Sequence, residues 1–70
     1  MMPLSLADAG EENIIRKVGG SPEVRQHLKE LGFVEGSTVT VITSMNGNVI
    51  VKIKESRIAI SDEMARRIMI

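Results

Sequence analysis

Ser21-Pro22-Glu23-Val24-Arg25-Gln26-His27-Leu28-Lys29-Glu30-Leu31-Gly32-Phe33-Val34-Glu35-Gly36-Ser37-Thr38-Val39-Thr40-Val41 is the stretch on which the fold turns. The Ser21 hydroxyl can accept from an otherwise unpaired first-turn amide, so Ser21 reads as a helix N-cap. Pro22 follows at the first helical position, where its missing N–H is no loss. Glu23 places negative charge at the positive end of the helix dipole. Val24, His27/Leu28 and Leu31 then recur at helical spacing and form one apolar stripe, while Arg25, Gln26, Lys29 and Glu30 make a wet face. Gly32 supplies a left-handed stop. Gly36 is the permissive residue of the next turn, and from Ser37 the pattern switches to alternation. The expected helix has about three turns, too few to persist alone, so it must lie on a sheet.

Outward from this unit the chain is mostly β. Asn13 to Val18 is β-rich with imperfect alternation, because Ile14 and Ile15 are adjacent; a bulge or a strand end would reconcile them. Asn46-Gly47 between two β-runs predicts a two-residue hairpin with both central residues left-handed. Val49, Val51 and Ile53 fall on one face of the return strand, with Lys52 and Lys54 on the other. Arg57 to Ile60 reads as a third meander strand with Ile58 and Ile60 inward. Ser61 can cap a second, shorter helix with Asp62 and Glu63 in its first turn. Ala65 and Ile68 face inward, and Met69-Ile70 returns to the sheet as a short edge strand. The expectation is a mainly β protein with two short helices: a small SH3-like barrel of about five strands, with a helix inserted after the first strand. Its seventy residues read as a single domain, 1–70.

Composition removes several functional classes. There is no cysteine and one histidine, so thiolate metal sites, disulfides and thiol nucleophiles are out. Nine Lys+Arg balance nine Asp+Glu, which argues against a dedicated nucleic-acid binder and against steady attraction to an anionic bilayer. Phe33 is the only aromatic residue, too few for base-stacking platforms or a proline-reading groove. The N-terminus lacks the basic and apolar regions of a signal peptide, and no segment is long and apolar enough to span a membrane. The expected location is cytoplasmic.

No nucleophile has a base within sequence reach, and Gly19-Gly20-Ser21-Pro22 lacks the lysine of a phosphate loop. Glu23, His27 and Glu30, at helical spacing, could hold a divalent transition-metal ion, though one imidazole and two carboxylates make a weak set. Against this stands the plain reading of His27 as a boundary residue. The methionines show no clustering and read as core filling. Lys52, Lys54 and Arg57 could bind nucleic acid from the barrel exterior; the plain alternative is exposed cations that keep a sheet from sticking. Leu28, Leu31, Phe33 and Val34 flank the helix stop, and any that stay exposed would anchor a protein partner.

These residues resemble the FeoA family, small cytosolic accessory proteins of bacterial ferrous iron uptake. The likeness covers nearly the whole chain: Leu4-x-Leu6, Gly10-Glu11, Ile15 before Gly19-Gly20, the core segment Leu28-x-x-Leu31-Gly32-Phe33-Val34-x-Gly36-Ser37-x-Val39-x-Val41, Arg57-Ile58-Ala59-Ile60, and Ala65-x-x-Ile68-x-Ile70. A similar domain forms the SH3-like C-terminal module of some iron-dependent repressors. The resemblance implies an SH3-like barrel without catalysis or a resident cofactor. It implies action by contact with FeoB, the membrane ferrous iron transporter with a cytosolic GTP-binding domain, so that membrane association comes only through the transporter. The Asn46-Gly47 tip departs from the family in being tighter than the usual loop.

Overall fold

A computed structural model describes residues 1–70. After a turn of 3-10 helix at Leu4–Leu6 come β1 (Glu12–Ile14), β2 (Lys17–Val18), α1 (Pro22–Glu30), β3 (Thr38–Met45), β4 (Asn48–Ile53), β5 (Ser56–Ser61), α2 (Asp62–Ala65) and β6 (Ile68–Met69). The strands form a four-stranded antiparallel sheet in the order β1-β3-β4-β5 and a two-stranded ribbon of β2 with β6. The fold is the expected mainly β arrangement with two helices, but with six strands in place of about five.

The extra strand comes from the adjacent pair Ile14-Ile15. Ile14 is 55% exposed and Ile15 is 1% exposed. Ile15 N–H donates to the Ser37 carbonyl at 2.9 Å and its carbonyl accepts from Gly36 N–H at 2.8 Å, whereas Arg16 N–H donates to Met69 at 2.8 Å. The chain therefore changes partner between residues 15 and 16, leaving the large sheet for the ribbon. Two apolar residues in succession mark that corner: one continues the pleat outward and the next plugs the core. α1 follows the second of the two pieces.

The meander obeys its alternation. Val39, Val41, Val49, Val51, Ile53 and Ile60 point inward, all at most 5% exposed, and Ile58 is half-buried. Ile42 stands at a register shift between Val41 and Thr43, so β3 carries a bulge after its fourth residue. Asn46 and Gly47 have φ of 50° and 79° and join Met45 to its partner Asn48, the tight hairpin their sequence predicts. The second hairpin was less legible. Lys54 and Glu55 form its turn between the paired residues Ile53 and Ser56, with Lys54 left-handed at φ 55°. A non-glycine residue bears that conformation at some strain, so nothing in the sequence announces it.

The ribbon and the N-terminus close the barrel. Lys17 pairs with Met69 and Val18 with Ile68, while Met2 and Ile70 exchange backbone hydrogen bonds of 3.0 and 2.8 Å. Thirteen apolar residues form one core, from Leu4 through Ile70, and no polar or charged side chain is buried with them. Ala65 and Ile68 lie in that core as their spacing predicts, and Leu6, in contrast to Leu4, is left outside.

Candidate interaction surface

α1 begins as its sequence dictates. Val24 N–H donates to Ser21 Oγ at 3.3 Å, Pro22 occupies the first turn, and Leu28 is the one fully buried side chain of the helix. Its end explains more. Phe33 N–H donates to the Leu28 carbonyl at 2.9 Å and Gly32 N–H to the Lys29 carbonyl at 3.0 Å, with Gly32 at φ 105°. These two bonds are the paired 6→1 and 5→2 contacts of a Schellman stop, which brings the residue after the glycine against the residue four before it. Here those residues are Phe33 and Leu28, and both belong to the core, at 1% and 0% exposure.

That geometry corrects the expected partner surface. Leu28 and Phe33 sit inside the barrel and are not presented to a partner. Leu31 and Val34 remain half-buried; Leu31 leans on the core, while Val34 heads the turn that runs to Ser37. Gly36, at φ 87°, lets this turn fold back so that its backbone meets Ile15. The signal that could have placed Phe33 was present: an apolar residue directly after the stop glycine, with another four before that glycine, is the side-chain signature of this stop.

The polar face of α1 presents Pro22, Glu23, Gln26, His27 and Glu30 along one open, exposed hollow. Gln26 Nε2 donates to Glu30 Oε1 at 3.3 Å. No three His, Cys, Asp or Glu side chains approach closely enough to hold a metal ion. The expected set of Glu23, His27 and Glu30 is therefore not assembled. Glu23 and Glu30 lie two helical turns apart, roughly 10 Å along the axis, and Glu30 is already engaged by Gln26.

Two further surface features lie away from that corner. The N-termini of the two helices sit side by side, so that Gly20, Ser21, Val24, Ser61, Glu63, Met64 and Arg67 line one groove of about 540 Å³. A Cβ at Gly20 would come within 3.1 Å of Val24 Cγ1, and Gly20 is left-handed at φ 104°, so glycine is needed there on both counts. On the outer face of the large sheet, Glu12, Ser37, Thr38, Thr40, Lys52 and Lys54 line a shallow polar hollow of about 390 Å³. Both features join residues far apart in sequence, which is why pattern reading along the chain does not find them.

The FeoA domain family model matches residues 2–70. This chain belongs to the FeoA family. It is 40% identical over its whole length to a protein of Methanocaldococcus jannaschii designated an Fe(2+) transport protein A, covering 85% of that protein. Among solved structures it superposes on the iron uptake regulatory protein FeoA with a TM-score of 0.87 at 33% identity, over 96% of this chain and 89% of that one. It also superposes on Stenotrophomonas maltophilia FeoA, an SH3-domain protein crystallised with zinc, with a TM-score of 0.86 at 23% identity, over 99% and 88% of the two chains. At that identity the second likeness speaks to the fold, and it makes the barrel SH3-like. In this FeoA-family chain no helix is long and apolar enough to cross a membrane.

Proposed function

We propose that residues 1–70 act as one domain, a cytoplasmic, non-enzymatic accessory protein of ferrous iron uptake that works by contact with a FeoB-type transporter and its cytosolic GTP-binding domain. The observation that carries this reading is the match along the full chain to FeoA, together with 40% identity to an Fe(2+) transport protein A. Leu31 and Val34 are the apolar contacts at the α1 stop, since they alone of the four expected there keep exposed surface. Membrane association comes through the transporter, and nucleic acid is not a partner.

Titration of the whole chain against the transporter's cytosolic domain, with guanine nucleotide and ferrous iron present, tests the reading. Saturable binding that Leu31→Ala or Val34→Ala weakens is the expected result. Absence of binding under all nucleotide states removes the reading.

A second reading has one observation in its favour: the zinc in S. maltophilia FeoA. In this chain Glu23 and His27, one helical turn apart, would hold a divalent cation weakly, with water completing the shell. Anaerobic calorimetry with ferrous iron tests it, and an affinity unchanged in His27→Ala removes these ligands.

A further inference from the structure

The outer face of the four-stranded sheet carries an arrangement that stability alone does not explain. Register places Glu12 opposite Thr40, Thr40 opposite Lys52, and Lys52 opposite Arg57, one row across all four strands. Lys52 and Arg57 are thus like charges directly opposed on neighbouring strands, a pairing that destabilises a sheet. Neither is neutralised. The molecule has one ion pair, Arg66 to Asp62 at 2.8 Å, so no carboxylate lies within 4.0 Å of Lys52, Arg57 or the nearby Lys54. All three cations are exposed. Lys52 and Lys54 line the same hollow as Ser37, Thr38 and Thr40, whose hydroxyls add donors beside the ammonium groups, with Glu12 on its β1 side as the one carboxylate. The chain as a whole is neutral, with nine cations and nine anions, so this face is a local imbalance.

We propose that this face is a docking surface for an acidic, extended segment of a partner protein, held by Lys52, Lys54 and Arg57. Charge complementarity selects the occupant. Lys52 and Arg57 stand directly opposite one another on neighbouring strands, about 5 Å apart at the backbone, so one carboxylate of an extended segment can meet both, and Lys54, in the turn after Ile53, stands beside them for the next. The hydroxyls of Ser37, Thr38 and Thr40, on the β3 side of the cations, can donate to further carboxylate oxygens. Glu12, at the far end of the row, repels acid and so sets the limit of the acidic stretch. Three cations fall short of the basic clusters that hold an anionic bilayer. The single aromatic ring, Phe33, is inside the core, which leaves no stacking platform for bases.

This inference rests on the reading that the chain works through a protein partner, and it names the chemistry of one contact. The first experiment follows backbone amides by NMR in the whole chain during titration with the peptide Glu-Ser-Glu-Ser-Glu, with Gln-Ser-Gln-Ser-Gln as control. Shifts at Thr38, Thr40, Lys52 and Arg57 that saturate with the acidic peptide, stay flat with the control and fade with added salt are the expected result. A triple variant Lys52→Gln, Lys54→Asn, Arg57→Gln should weaken the peptide about tenfold, from the loss of three charged contacts. Its thermal midpoint should be no lower than that of the parent, because the like-charge pair is gone; asparagine is chosen at 54 because it tolerates the left-handed backbone.

No shifts up to millimolar peptide, equal shifts with the control, or a triple variant that folds and binds the peptide unchanged would each overturn the proposal. Stronger response of the same amides to inorganic phosphate, a short single-stranded oligonucleotide or phosphatidylserine vesicles would overturn the assigned occupant. The transporter domain separates this inference from the reading beneath it. Domain binding that survives intact in the triple variant sinks the docking surface and leaves the reading. Peptide binding without domain binding removes the reading and keeps the surface.

Discussion

The α1 stop and the outer face of β3–β5 are opposites in composition and in fate. The stop gathers four apolar residues, Leu28, Leu31, Phe33 and Val34, within seven positions, and it suggests a sticky corner for a partner. The outer face, with Thr40, Lys52 and Arg57, suggests solvated strand exterior. In the folded chain the stop gives up two of its four side chains to the core. The outer face keeps three cations in water with no ion-pair partner. Hydrophobicity says what would gain by burial, but backbone geometry decides which side chains achieve it. At the stop two hydrogen bonds around Gly32 aim Phe33 inward. On the sheet, antiparallel register lines up charges that sequence separates by five positions.

The comparison can be broken most decisively at Phe33. Truncation to Ala should cost about 3–5 kcal/mol through the lost apolar contacts and the cavity left behind. A domain of this size has roughly 4–10 kcal/mol in total, so denaturant unfolding should show a severe loss or no folded baseline. A Phe33→Ala protein that unfolds at the parental midpoint yet fails to bind the transporter domain would return Phe33 to the surface.

Gly32 comes next. A Cβ there would have open room, the nearest atoms being Ile53 Cγ1 and Lys54 Cε at 4.0 Å. The penalty of Gly32→Ala is therefore that of the left-handed backbone alone, about 1–2 kcal/mol. A measured loss near zero would mean that the stop relaxes and that Phe33 is not held by it.

The two helix caps give a smaller and more pointed contrast. Ser21 and Ser61 each accept from the amide three residues on, at 3.3 and 3.1 Å. Loss of either hydroxyl in Ser→Ala should cost about 1 kcal/mol. The Ser61 bond is partly buried and the Ser21 bond is exposed, so the loss at Ser61 should be the larger when urea midpoints are compared. Equal losses would show that water replaces neither cap better than the other.

The smallest expected effect has the opposite sign. Lys52→Thr on the outer face removes the repulsion with Arg57 and should leave stability unchanged or raise it by up to about 0.5 kcal/mol. A thermal scan at low salt reads this directly, and a clear destabilisation would mean that Lys52 has an attractive partner on that face.

Much of the fold was legible because short-range chemistry specifies it. Ser21-Pro22 and Ser61-Asp62 start helices, Asn46-Gly47 makes a tight turn, and the alternation of Val39 to Ile60 picks the buried face; each needs only neighbours along the chain. The doublet Ile14-Ile15 marked an irregularity within residues 13–18, read as a bulge or a strand end; that the segment divides into two strands in different sheets was not legible. The site was less legible. The expected metal set of Glu23, His27 and Glu30 shares a helix face, but the three side chains are not gathered, because helical spacing puts residues on one side without bringing their ends together.

The sequence by itself determined the helix caps, the first hairpin, the inward face of the meander and the family, since these depend on residue type at fixed local offsets. Only the tertiary structure decided that residues 13–18 divide between two sheets, that the helix starts adjoin, and that Lys52 stands against Arg57. Those facts depend on which distant segments the backbone pairs, and that choice is made by burying thirteen apolar residues together, a quantity no local window contains.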